Sequence, residues 1–148
     1  MKRARSPWGY LALILFAALS ALVFDRFRAR PQFEPDLPVE FHLTNPVRRA
    51  PEVMERAELL FRRNCLPCHG KAGHGDGPAS VSLNPKPRDL RSPDLQNQTD
   101  AFLFYRLTEG KMRTAMPSFG TSLNPQDRWA LVHLVRKIGE EARKDETN

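Results

Sequence analysis

The sequence predicts an all-α domain behind a separate apolar segment, on three observations. Apolar residues recur at helical spacing from Val53 to Phe61, from Phe102 to Leu107 and from Trp129 to Ile138. Those stretches carry helix start or stop signals at Pro51, Thr99, Gly110 and Asn124. Beyond Pro51 no stretch reads convincingly as a strand.

Composition bounds the rest. With 148 residues, 41% apolar and 27% charged, the chain supports one domain with a modest core. It is too short for a two-domain enzyme and too apolar to be disordered throughout. Two cysteines cannot form a disulfide framework. The net charge of +6 sits mostly in residues 1–30, where six basic residues face only Asp25, which leaves +1 for residues 31–148. Nucleic acid recognition needs a basic face on the folded domain, so nucleic acid is excluded as a partner.

Residues 1–30 read as a short tip, an apolar run and a basic flank. Pro7 to Phe24 would rise roughly 27 Å as a helix, close to the hydrocarbon thickness of a bilayer. Trp8 and Tyr10 stand where an aromatic belt belongs, and positive residues bracket the run. A single transmembrane anchor through residues 7–24 is the expectation. The rival is a cleaved signal peptide, with Lys2 to Arg5 as its basic region and Ala18 and Ser20 near the cut. The run continues through Leu22, Val23 and Phe24, which is long for that purpose.

Residues 31–51 form a Pro-rich arm that should run extended. Leu37, Val39, Phe41 and Leu43 alternate with polar residues or proline, which puts one apolar face on a strand. That face covers either the arm's own domain or a partner subunit.

Residues 52–148 hold the globular domain and a charged tail. Pro51 suits a first helical position, with Glu52 and Glu55 at the positive end of the dipole. Val53, Ala57, Leu60, Phe61 and Asn64 share a face that runs into Cys65. Residues 70–98, rich in Gly, Pro, Ser and Asn, read as a long irregular loop. Thr99 caps a helix over Asp100–Glu109 that stops at Gly110. Asn124 and Pro125 open the last helix, which is expected to give way to a charged tail after Ile138. Three short helices and a long loop make a poor core, so something large is missing from the amino-acid count.

Cys65-Leu66-Pro67-Cys68-His69 supplies it. Two thiols two residues apart, followed at once by histidine, form an attachment site for one covalent haem c, with the imidazole as a ligand to its iron. A redox dithiol wants a strand–helix context, and a zinc site needs further Cys or spaced His. His74, in a Gly-rich loop, reads as solvated.

The runs Ala57 to Gly70, Gly73 to Pro78, Met116 to Gly120 and Arg128 to Val132 resemble the class I, single-haem c-type cytochromes, over residues 53–140. The resemblance implies an all-α cytochrome c fold with the first and last helices crossing and one haem edge exposed. It also implies His69 as the fifth ligand of the iron, with the carbonyl of Pro78 on its other ring nitrogen. The sixth ligand is then a thioether. Met54 lies in the first helix, which leaves Met112 and Met116. Met116 precedes Pro117, which holds it out of helix and in an extended loop, so it is the one expected. His42, His74 and His133 are the bis-histidine alternatives. Two positions depart from the pattern: Ala57 stands where glycine often permits a close crossing, and His133 where an aromatic often meets Phe61.

With both axial positions filled, the chemistry is outer-sphere transfer of one electron and the chain has no substrate-turnover site of its own. The expectation is a membrane-anchored carrier between a quinol-oxidising complex and a downstream cytochrome, oxidase or reaction centre. Haem c is attached outside the cytoplasmic membrane, so residues 25–148 belong on the periplasmic side of the inner membrane. The carrier is either a tethered shuttle or a fixed subunit of an oxidoreductase, as in the mono-haem subunit of alternative complex III. A haem-based gas or redox sensor is the reading from a different class.

Overall fold

The structure, a computed structural model, describes residues 44–145 and 147. The expected anchor over residues 7–24, His42, and the alternation from Leu37 to Leu43 lie outside the described residues. Among those described, no helix is long and apolar enough to cross a membrane.

Helix α1 spans Pro51–Asn64, with Pro51 in its first turn, Glu52 at the positive end and Arg62 and Arg63 at the negative end. Its buried stripe is Ala57, Leu60 and Phe61, the expected face, while Leu59 is half exposed. After Cys65 the chain makes one further turn, α2, over Leu66–His69. Helix α4 covers Asp100–Glu109 and is capped as expected, with Thr99 Oγ1 accepting from the Phe102 N–H at 3.1 Å. Helix α5 covers Pro125–Asp145, and Asn124 Oδ1 accepts from the Asp127 N–H at 2.8 Å.

Two expectations are corrected. Residues 70–98 are not wholly irregular: a 3-10 helix covers Pro78–Ser82 and a short helix, α3, covers Pro93–Gln96. Proline opens both, because its fixed φ suits a first turn whose N–H groups are unpaired anyway. The charged tail is also helical to Asp145, with Arg143 and Lys144 at the negative end of the dipole.

The most extensive helix–helix contact is α1 against α5, as the resemblance implies. Ala57 and Val132 are fully buried there, so the alanine methyl is accommodated without a glycine. Around this contact two ion pairs join the helices, Arg56 to Asp127 at 2.9 Å and Lys137 to Glu58 at 2.8 Å. Trp129 stacks on Phe104 with ring centroids 4.2 Å apart, which ties α5 to α4. The described residues contain no strand.

Candidate functional site

The site begins where α1 ends. Cys65 accepts at its carbonyl from the N–H groups of Cys68 (3.1 Å) and His69 (2.8 Å), so residues 65–69 form one helical turn. Positions i, i+3 and i+4 lie on one side of such a turn, which groups both thiols and the imidazole. Pro67 falls among the unpaired N–H groups at its start, where it costs no hydrogen bond. Both cysteines are free and half-buried.

The loop that follows folds back over this turn. The Gly75 N–H donates to the His69 carbonyl at 2.9 Å and the Gly77 N–H to the Cys68 carbonyl at 3.1 Å. Gly75 sits at φ +80°, and a Cβ there would strike the Pro87 carbonyl, so the position requires glycine on both counts. The close approach brings residues 87–90 down onto the loop.

There the structure differs from an implied contact. His69 Nδ1 donates to the carbonyl oxygen of Arg88 at 3.1 Å, where the resemblance implied that of Pro78. Pro78 instead opens the 3-10 helix, and the 87–90 segment, packed on Gly75, takes the place beside the ring. A carbonyl only accepts, so Nδ1 carries the proton and Nε2 keeps its lone pair. Burial pulls His69 below its ordinary pKa, with the Arg88 carbonyl opposing, which keeps the ring neutral at neutral pH. Burial, aided by Cys68, pushes the Cys65 thiol up to about 12. A redox dithiol needs the opposite shift.

The two loop methionines are well separated in exposure. Met112 is 87% exposed, whereas Met116 is half-buried and packs on the same apolar core that Cys65 and Leu66 border. The loop around Met116 is pinned to the end of α4, with Phe119 N–H on the Leu107 carbonyl and Gly120 N–H on that of Thr108, each at 3.0 Å. Met116 O accepts from the Lys111 N–H at 3.1 Å, which closes the loop on itself. Met54 packs on the core from α1.

The other histidines are elsewhere. His74 is exposed, as expected. His133 Nε2 lies 2.6 Å from the Val47 carbonyl oxygen and is half-buried. Among the described residues no group of three or more His, Cys, Asp or Glu is arranged around a metal ion. Sequence reasoning missed the Arg88 carbonyl altogether. The signal was Gly73-His74-Gly75, two glycines spaced to admit another backbone.

Residues 52–135 match the family described as cytochrome c oxidase, cbb3-type, subunit III. The chain belongs to that family. Among solved structures it resembles a chain of the reducing HAO-like protein complex Kustc0457/Kustc0458 of Kuenenia stuttgartiensis, with TM-score 0.60 and 28% identity. That match covers 76% of this chain and 53% of the other, so this chain spans about half the length of its relative. The KustC0563 c-type cytochrome matches at 25% identity over 55% of this chain and 95% of that one, with TM-score 0.46. Comparison with curated proteins finds no match.

As a cytochrome c domain of the cbb3-type family, the chain is an electron-transfer haem protein with covalently bound haem c. Its sequence holds one Cys-x-x-Cys-His, so the haem is single. The donor set fits the group: two free thiols on one turn, a neutral imidazole with Nε2 bare, and a thioether on the same core.

Proposed function

We propose that this cytochrome is a membrane-anchored one-electron carrier, with haem attached through Cys65 and Cys68 and its iron held by His69 and Met116. The observation that carries the reading is the His69 ring, whose Nδ1 is occupied by the Arg88 carbonyl while the two free thiols share its turn. Haem so ligated supplies reversible one-electron chemistry at its edge, with no open coordination position. The chain's own work is then positional. The 65–69 turn sets the attachment geometry, and the Arg88 carbonyl fixes the tautomer. The loop pinned to α4 presents one methionine and leaves Met112 outside.

Residues 7–24 anchor the chain in the inner membrane with the haem domain on the periplasmic side, between a quinol-oxidising complex and a downstream cytochrome, oxidase or reaction centre. The family is named for an oxidase subunit, and the Kuenenia stuttgartiensis relative belongs to a protein complex. Both favour a fixed subunit of a larger redox assembly over a free shuttle.

Acid–acetone extraction of the purified protein should leave the pigment on the chain, and Cys65→Ala with Cys68→Ala should abolish stable haem. In membranes the wild-type chain should resist alkaline carbonate. Complete extraction of the haem would overturn the attachment, and release by carbonate would overturn the anchor.

A further inference from the structure

The segment that carries the Arg88 carbonyl is tied to the last helix through the side chain of Gln96. Leu90 N–H donates to the Gly73 carbonyl at 2.7 Å, which secures one side of the segment to the loop after His69. On its other side Gln96 Nε2 donates to the Leu90 carbonyl at 2.7 Å and to the Val135 carbonyl of α5 at 3.0 Å. The second bond needs a gap in the surface of α5. Gly139, one helical turn beyond Val135, provides it: a Cβ at that position would come within 2.6 Å of Gln96 Nε2. Glycine inside a helix is destabilising against alanine. Here the missing methyl is the space that the Gln96 amide fills.

We propose that Gln96 is a positioning residue for the axial histidine: seated in the notch at Gly139, it fixes Leu90 to α5 and thereby holds the Arg88 carbonyl on His69 Nδ1. This rests on the reading of His69 as an iron ligand. A carbonyl on the outer ring nitrogen makes the imidazole a more basic ligand, which favours the oxidised iron. Loosening it favours the reduced form. The main chain beside Gln96 has a separate support, since Arg136 donates to the carbonyls of Gln96 at 2.6 Å and Gln98 at 2.5 Å. Removing the Gln96 amide therefore releases the Leu90 carbonyl from α5 without releasing the main chain at residues 96–98.

The test uses the haem-loaded protein with Gln96→Leu, Gly139→Ala and both together. Each variant should keep covalent haem and the wild-type band positions. At a fixed ambient potential the reduced-to-oxidised ratio should rise by up to about tenfold, equivalent to 59 mV for one electron. The His69 ring N–H of the reduced protein should exchange with deuterium about tenfold faster or more. Because both changes break one linkage, the double variant should move no further than either single one. Arg49→Ala, which removes the Arg49–Glu140 ion pair from the same helix, should leave both readouts unmoved. An unmoved potential or exchange rate in either single variant, or additive shifts in the double, would overturn the proposal. A wild-type protein whose spectrum lacks histidine ligation would instead overturn the reading of His69, before any variant is made.

Discussion

His133 Nε2 of α5 lies 2.6 Å from the main-chain oxygen of Val47, 86 residues away in sequence. Around that bond, Asn45 Nδ2 donates to the Trp129 carbonyl at 3.1 Å, and Arg49 forms a two-pronged ion pair with Glu140 at 2.8 and 2.9 Å. The described end of the arm is thus laid along its own last helix. Asn45 and Val47 turn inward while Thr44, Pro46 and Arg48 are exposed, which continues the period of two read further upstream.

His133→Leu should therefore destabilise the domain by about 0.5–1.5 kcal/mol in chemical denaturation. It should also speed tryptic cleavage at Arg48 and Arg49. Arg49→Ala, at a half-exposed pair, should cost less. Neither should alter the haem spectrum. A changed spectrum in His133→Leu would return that residue to the list of iron ligands.

How much of this was legible follows from the range of each signal. The faces of α1, α4 and α5, the caps at Thr99 and Asn124 and the Cys65–His69 turn are local patterns, and the sequence states them openly. What it hid are pairings across the chain. Residues 70–98 read as a long irregular loop because their order comes from partners distant in sequence: Gln96 reaching Val135, Arg136 reaching Gln98, and Leu90 meeting Gly73. The resemblance implies the Pro78 carbonyl, but the Arg88 carbonyl takes the ring because the close approach at Gly75 lets its segment in. The choice of Met116 over Met112 rested on Pro117, and the burial of the two points the same way.

Asp127, in the first turn of α5, receives two hydrogen bonds from Arg56 at 2.9 Å each. The Arg56 guanidinium holds its carboxyl below the usual aspartate range, against a smaller effect of burial. A depressed folded-state pKa contributes stability that is complete above the unfolded value, near 4, and is lost as pH falls through the folded value. Asp127→Asn should thus be less stable than wild type at pH 7. The difference should shrink below about pH 4 and vanish at lower pH. A difference that stays constant with pH would show that the substitution acts through packing instead.

Met116→Ala should remove the weak near-infrared sulfur-to-iron band of the oxidised protein and admit external ligands to the iron. Met112→Leu, at a side chain turned to solvent, should do neither. In the wild-type protein the reduced spectrum should be unchanged under carbon monoxide. A carbon monoxide spectrum in wild type would favour the sensor reading, in which the thioether gives way to a gas.

The charges of the domain bear on how it meets its partner. Residues 48–113 carry 12 basic and 8 acidic side chains, and residues 114–148 carry 5 of each. The two signs are also interleaved, which shortens the reach of the field without changing that sum. Arg49, Arg56, Arg91 and Arg136 each lie within 2.9 Å of a carboxylate oxygen, on Glu140, Asp127, Asp89 and Asp100 respectively. Two propionates of a bound haem would offset part of the excess. A soluble carrier gains its association rate from a strong one-signed field, and that gain falls steeply with salt. Here the field is weak, which leaves confinement as the source of speed if the chain is anchored. An anchor through residues 7–24 would hold the domain beside membrane partners at an effective concentration up to the millimolar range. Haem oxidation in native membranes should accordingly change less than about threefold between low and physiological salt, because screening has little to remove. A chain starting at Pro31 should keep its haem spectrum and react far more slowly at the same bulk concentration. A tenfold loss of rate with salt in the full-length protein would show that a one-signed field operates after all. Equal rates with and without residues 1–30 would show that the association owes nothing to the membrane.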